Sequence, residues 1–190
     1  RPRATTRETI AEAACELFLE QGYEATAVAD IARRAGVSRS SYFNYFDSKA
    51  DVFWSGLDER ITVLEAELAG NRTDSDFGSL QAALVRMTTD FAPDSLALGI
   101  ANAAQLRVEA ELARDKALRQ SRIAGLVADA LGRQGIRAVQ ASIVGAAYAA
   151  AVLAAIDAWA YEGAGRTSLT ALLEGAVAVV APLLDGVRHS

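Results

Sequence analysis

A chain of 190 residues, 52% of them apolar, can bury a sizeable core, and its length admits one domain or two. Its single cysteine, Cys15, and single histidine, His189, exclude a disulfide framework, a thiolate metal cluster and imidazole-based catalysis within one chain. The net charge of −5 argues against a nucleic-acid binder until it is divided: residues 1–49 carry seven Lys or Arg and seven Asp or Glu, so the whole acidic excess follows Lys49.

The chain begins with a short basic arm, Arg1, Pro2, Arg3 and then Arg7, which can reach a minor groove or phosphates, or can stay a solvated terminus. Because this charged arm runs directly into an amphipathic helix no signal peptide is expected, and with one thiol a reducing, cytoplasmic setting is expected. A helix is predicted from Thr5 or Thr6, where Thr5 and Glu8 have capping-box spacing. Ile10, Ala13, Ala14, Leu17 and Phe18 form its apolar stripe, and Gln21-Gly22-Tyr23 ends it. Glu8, Glu12, Glu16, Glu20 and Glu24 are expected on its outer side, away from Arg39 and Lys49. Cys15, inside this helix, reads as a small apolar residue rather than a redox sensor.

Thr26 to Phe46 reads as two short helices joined by a tight Gly36-Val37 turn, a helix-turn-helix. Thr26 is placed to cap the first, which carries Val28, Ile31, Ala32 and Ala35 on one face, and Gly36 stands where a left-handed stop is needed. Ser38 caps the second. There Val37, Tyr42 and Phe46 face inward against Val28 and Ile31, leaving Arg39, Ser40, Ser41, Phe43 and Asn44 outward. Asn pairs with adenine, Arg with guanine, and Ser or an aromatic touches a thymine methyl or a backbone oxygen. A polar face meeting only water would look the same; the complete three-helix unit around the motif favours DNA. Ser48, with Asp51 in capping-box position, opens a further helix to about Ala69, with Leu57, Ile61, Leu64 and Leu68 as its stripe.

Residues 6–54 resemble the DNA-binding domain of the TetR family of transcriptional regulators. Gly22-Tyr23, Thr26, Asp30-Ile31-Ala32, Ala35-Gly36-Val37-Ser38, Tyr45-Phe46 and Ser48-Lys49 all fall at that family's motif positions. The resemblance implies that Thr26 and Lys49 hold phosphates, that Tyr45 contacts the DNA backbone, and that Arg39, Ser40, Ser41 and Asn44 read bases. Phe43 stands where the family more often places a tyrosine, and Ser40-Ser41 replaces its common Gly-Thr pair, so the operator does not follow by analogy.

Beyond about Ala69 polar breaks fall at Gly70 to Asp76, Ala92-Pro93-Asp94 and Gly163 to Thr167, and helices are predicted over 78–91, 95–111, 116–132, 137–161 and 168–184. The expectation is an all-α protein: a three-helix head over residues 1–48 and a helical ligand-binding and dimerisation body over 49–190. Ile143 to Ile156 is a fourteen-residue apolar run closed by Asp157, short of the roughly 18–20 residues a bilayer span needs, so no membrane is expected. Gly145, Ala149 and Ala150, with Leu172, Leu173, Ala176, Val177, Val180 and Leu184, let the last two helices pair with those of a second copy, or else complete a monomer core. The resemblance favours the homodimer, which would set two heads on successive major grooves of a pseudo-palindromic double-stranded operator.

A pocket for an unknown small hydrophobic effector is expected among the helices between residues 48 and 161. Its candidate lining is Trp54, Met87, Phe91 and Asn102, then Gln105, Leu106, Ile123 and Tyr148, with Phe53, Phe77, Leu98 and Val127 around them. Singly, such aromatics are ordinary core residues. Ala104 to Lys116 and Asp51-Val-Phe-Trp54 resemble family members that respond to acyl-CoA thioesters or other fatty ligands. That likeness implies Arg107, Arg119 or Arg122 at the CoA phosphates; otherwise these are exposed helix charges. With no glycine-rich phosphate loop, metal-ligand spacing or Gly-x-Ser-x-Gly, the chain is expected to be no enzyme and to need no cofactor. The expected function is a ligand-responsive homodimeric repressor whose inducer changes the distance between heads. The alternative is an architectural or cell-division DNA-binding protein acting through a protein partner.

Overall fold

The computed structural model describes residues 6–70, 77–89, 91 and 95–188, with the backbone alone at 77–79 and 188. The arm Arg1 to Arg3, the Thr5 cap, the breaks at 71–76 and 92–94, the Phe77 side chain and His189 lie outside the described residues. The elements are α1 Thr6–Gln21, α2 Val28–Arg34, α3 Arg39–Phe43, a 3₁₀ turn Ala50–Trp54, α4 Ser55–Gly70, α5 Phe77–Arg86, α6 Ser95–Ala101, α7 Ala103–Leu106, α8 Glu109–Arg133, α9 Ala138–Gly163 and α10 Leu169–Arg188. Among the described residues the chain is all-α, with one isolated bridge between Ala164 and Thr167.

Packing divides the chain into two units, residues 1–57 with 93–115, and residues 58–92 with 116–190. The expected division after residue 48 is therefore not where packing divides. The reason is visible in the first unit. Ser95 Oγ donates to the Val52 carbonyl at 2.8 Å, and the position a Cβ would take on Gly99 is 2.8 Å from the Phe53 ring, so α6 lies directly on the 3₁₀ turn. Phe53 continues into Phe18 and Tyr23, ring centroids 5.3 and 6.1 Å away, which makes one core with α1. Ile10, Ala14, Phe18, Ile31, Tyr42 and Phe46 fill the rest of it.

The single helix predicted over 95–111 is broken at Asn102 and at Arg107, and α8 starts at Glu109, not residue 116. Arg107 adopts a left-handed φ of 57°, while Val108 N donates to the Ala103 carbonyl at 3.0 Å and Arg107 N to the Ala104 carbonyl at 3.2 Å. This is the hydrogen-bond pattern of a Schellman stop, made here without glycine.

In the second unit α9 packs along α10, and Tyr148, Val152, Ile156 and Trp159 of α9 and Leu169, Leu173, Val177 and Leu184 of α10 are buried. Gly145 lets α8 approach: a Cβ there would stand 2.4 Å from the Ala124 carbonyl oxygen. The face assigned to a second copy consequently shifts. Gly145, Ala149, Leu173 and Val177 are buried within the unit, whereas Ile143, Ala146, Ala150, Ala154 and Tyr161 of α9 and Gly175, Ala178, Val179 and Leu183 of α10 face outward. The span argument changes too: Ala138–Gly163 and Leu169–Val187 are each long and apolar enough to cross a bilayer by length and composition. In the protein 56% of the apolar window in α9 is buried, which identifies it as a core helix, against 17% in α10.

Candidate nucleic-acid interface

Gly36 takes φ +70° after α2, with Val37 N donating to the Ala32 carbonyl at 2.9 Å, and this stop turns the chain into α3. Ser38 then caps α3, its Oγ accepting from Ser41 N at 3.0 Å. Tyr42 and Phe46 enter the core against Ile31 as their four-residue spacing requires, while Val28 and Val37 are only half-buried. The Tyr42 hydroxyl donates to the Ser48 carbonyl at 3.0 Å, pinning α3 to the next turn. There the expected Ser48–Asp51 capping box is formed, Ser48 N donating to Asp51 Oδ2 at 3.0 Å and Asp51 N to Ser48 Oγ at 3.2 Å. The helix it opens begins as a 3₁₀ turn and becomes regular only at Ser55.

The outward face of α3 holds Arg39, Ser40, Phe43 and Asn44, with Ser41 half-buried and Tyr45 just beyond. Ser40 and Ser41 each place a hydroxyl 2.8 Å from Ser38 Oγ. Arg7 stacks over Phe46 at 4.8 Å, bringing one cation of the N-terminal segment against this unit.

Thr26 is a correction. The N-cap of α2 is Ala27, whose N–H donates to Asp30 Oδ2 at 3.3 Å, and Thr26 itself is 1% exposed, its hydroxyl donating to the Gly22 carbonyl at 2.7 Å and accepting from Gln21. A threonine so enclosed fastens the end of α1 to the start of α2; its hydroxyl is not presented to a phosphate. Lys49 is likewise turned into the unit: its Nζ donates to the carbonyls of Tyr23 (2.5 Å) and Thr26 (2.9 Å) and lies 4.0 Å from the Tyr23 ring centre. Burial lowers the Lys49 pKa from the ordinary lysine value, opposed by the charges of Glu24 and Glu111. Glu24 therefore acts on Lys49, contrary to the expectation that all five glutamates lie away from it. Glu16 and Glu20 are held by Arg34 at 3.1 and 2.7 Å, and that ion pair keeps the Glu20 carboxyl below its usual pKa.

Burial pushes the Tyr23 hydroxyl up to about 12, helped by Glu111, Asp115 and Asp51 and opposed by Arg114. A phenol whose pKa is raised on folding contributes stability that is complete below its unfolded value near 10 and is lost as pH climbs through the folded value. Unfolding free energy should accordingly fall between pH 10 and about 12, and Tyr23→Phe should flatten that fall. Urea unfolding at stepped alkaline pH, with tyrosinate absorbance as the second readout, checks it; an unchanged slope in Tyr23→Phe contradicts it.

The residues expected to line a pocket divide between the units. In the first, Trp54 and Leu106 are buried, Asn102 Nδ2 donates to the Leu98 carbonyl at 2.9 Å, and Gln105 is exposed. In the second, Met87 and Ile123 are buried, Tyr148 accepts from Gln81 Nε2 at 2.9 Å, and Phe91 meets Trp159 edge-on at 5.5 Å. Sequence reasoning missed Gln81, whose amide finds a partner only through α9. Of the arginines proposed for phosphates, Arg119 is clamped by Asp58 at 2.6 and 3.0 Å and Arg122 by Glu65 at 2.7 Å, so both are engaged with carboxylates; Arg107 is exposed. An open groove between α8 and α9, lined by Asp129, Gly132, Arg133 and Ser142, includes none of the expected pocket residues. Among the described residues no cluster of three His, Cys, Asp or Glu could hold a metal ion.

Residues 10–54 match the family described as bacterial regulatory proteins, tetR family. A Mycobacterium tuberculosis protein assigned as the mycofactocin biosynthesis transcriptional regulator MftR is 35% identical over 92 residues, 47% of this chain and 46% of that protein. The chain thus spans less than half the length of this curated relative. Two solved structures share the fold across nearly the whole chain. NalD of Pseudomonas aeruginosa, the secondary repressor of the MexAB-OprM multidrug efflux pump, is 22% identical with a TM-score of 0.59 over 93% of this chain and 95% of that one. Thermus thermophilus FadR, a transcriptional repressor in complex with lauroyl-CoA, is 24% identical with a TM-score of 0.55 over 92% and 93%.

Proposed function

We propose that this chain, whose residues 10–54 belong to the tetR family of bacterial regulatory proteins, is a cytoplasmic, ligand-responsive homodimeric repressor of transcription that binds a pseudo-palindromic duplex operator. The observation that carries this reading is the division of α3: Tyr42 and Phe46 fix it from beneath while Arg39, Ser40 and Asn44 stand outward on a segment stopped and capped as a major-groove reader requires. Residues 1–48, with Lys49 at their boundary, contact DNA; the rest of residues 49–190 holds the effector and the partner copy. Tyr45 meets the phosphate backbone. An ammonium has three N–H bonds, so Lys49 can hold its two carbonyls and still meet a phosphate, whereas Thr26 acts only by holding α2 in place.

Selection of bound molecules from random-sequence duplexes, followed by binding assays on the selected site, tests the reading. Asn44→Ala should lower specific binding by about 1–3 kcal/mol, one bidentate contact to adenine, and flatten preference at one base pair. Undiminished preference at every pair would remove Asn44 from the readers. For the effector, an apolar ligand such as an acyl-CoA is supported by the lauroyl-CoA carried by the T. thermophilus neighbour and by the apolar interior around Met87, Ile123 and Tyr148. Lauroyl-CoA should raise Tm in a concentration-dependent way and release the duplex. A Tm that does not move at millimolar lauroyl-CoA rejects the acyl class.

A further inference from the structure

Three side chains of α3 form successive layers. At the base Tyr42 is fully buried and tied through its hydroxyl to the Ser48 carbonyl at 3.0 Å. Phe43 stands edge-on to it, ring centroids 5.4 Å apart at 81°, yet remains 44% exposed. The Arg39 guanidinium lies over the Phe43 ring, 5.6 Å from its centre. The stack is fixed from the core outward, and its two outer members are side chains of the face that meets DNA.

Phe43 has no hydroxyl and cannot donate to a phosphate. An aromatic ring exposed on such a face gains by covering an apolar group, and the one apolar group a base pair shows in the major groove is the thymine C5 methyl. A guanidinium already resting on a ring has given up part of its freedom before binding, and its parallel N–H bonds match guanine O6 and N7. Meanwhile the Ser40 and Ser41 hydroxyls are each already engaged with Ser38 Oγ at 2.8 Å. Discrimination then falls to the stacked pair together with Asn44.

We infer that Phe43 and Arg39 act as one reading unit for a thymine beside a guanine in each half-site, Phe43 through the thymine methyl and Arg39 through guanine O6 and N7. The inference rests on the DNA-binding reading above. It makes the departure from tyrosine at position 43 the source of a base preference in place of a phosphate contact.

The test uses the full chain and a duplex selected from random sequence, resynthesised with deoxyuridine in place of one thymidine at a time. At one thymine, loss of the methyl should weaken binding about fourfold, the weight of one buried carbon. Phe43→Ala should abolish that dependence and Phe43→Leu should retain part of it. Arg39→Ala should lose about ten- to a hundredfold of the preference for guanine at the neighbouring pair. The inference is overturned if Phe43→Ala keeps the full methyl dependence, if no single methyl matters to the wild-type chain, or if the arginine-dependent guanine is not adjacent. A wild-type chain that selects no duplex at all defeats the DNA-binding reading itself, a result distinct from a selected duplex that ignores Phe43.

Discussion

If the protein forms the proposed homodimer through α9 and α10, Ala150→Arg is expected to leave it monomeric and to lower its affinity for a two-half-site duplex by about a hundred- to ten-thousandfold, the gain that linking two binding events provides. Ala150 lies on the exposed face of α9 with Ile143, Ala146, Ala154 and Tyr161, and Tyr161 is 70% exposed. In α10, Gly175, Ala178, Val179 and Leu183 are exposed, with Val179 at 79%. Two exposed small-residue, apolar helix faces give water little to bind and would let a second pair approach closely, as an isologous four-helix contact requires. An arginine set there is harmless to the isolated protomer, because the position is solvent-facing. In a dimer it must be desolvated without a partner, which costs several kcal/mol counted from both copies. Sedimentation equilibrium and duplex titration check the two halves of the expectation. A variant that stays dimeric places the contact elsewhere; a monomer that keeps full affinity on a palindrome separates dimerisation from DNA binding.

Chemistry local to a few residues was legible in the sequence. The left-handed turn at Gly36, the Ser38 cap, the Ser48–Asp51 box and the inward Tyr42 and Phe46 all follow from spacing and side-chain type, and the structure has each of them. Arg107 illustrates the opposite case: a Schellman stop made without glycine, asparagine or proline leaves no mark in the sequence, so 95–111 read as one helix. Thr26 has the composition of a cap, but nothing local says that the Gly22 carbonyl lies within reach of its hydroxyl. Lys49 reaches the Tyr23 and Thr26 carbonyls over separations of 26 and 23 residues, which only the packed unit defines.

Which side of an apolar helix faces a neighbour was equally beyond periodicity. In α9 almost every position is apolar or small, so no polar face marks the outside, and Gly145 could be assigned to a second copy as readily as to α8. The seam with α10 and the approach of α8 decide the matter, and both are tertiary facts. For the same reason aromatic content did not define a pocket: the candidate residues divide between two packing units.

Gly145→Ala should therefore cost about 2–4 kcal/mol, a large part of the roughly 5–15 kcal/mol that holds a domain folded. In an exposed helix interior the same substitution stabilises by about 0.5–1 kcal/mol, because alanine loses less backbone freedom than glycine. Here the added carbon would stand 2.4 Å from the Ala124 carbonyl oxygen and 3.2 Å from the Ala128 nitrogen. Neither atom belongs to a side chain that can rotate aside, so α8 and α9 must separate, opening gaps beside Val127 and Val144, which are both essentially fully buried. Gly125, on the same helix as Ala124, has nothing within 4 Å of its Cβ position, so Gly125→Ala serves as the internal control and should be slightly stabilising. Urea midpoints of the two variants against wild type, at constant m-value, give the comparison. Equal stability of Gly145→Ala and wild type would mean that α8 and α9 do not meet at this point.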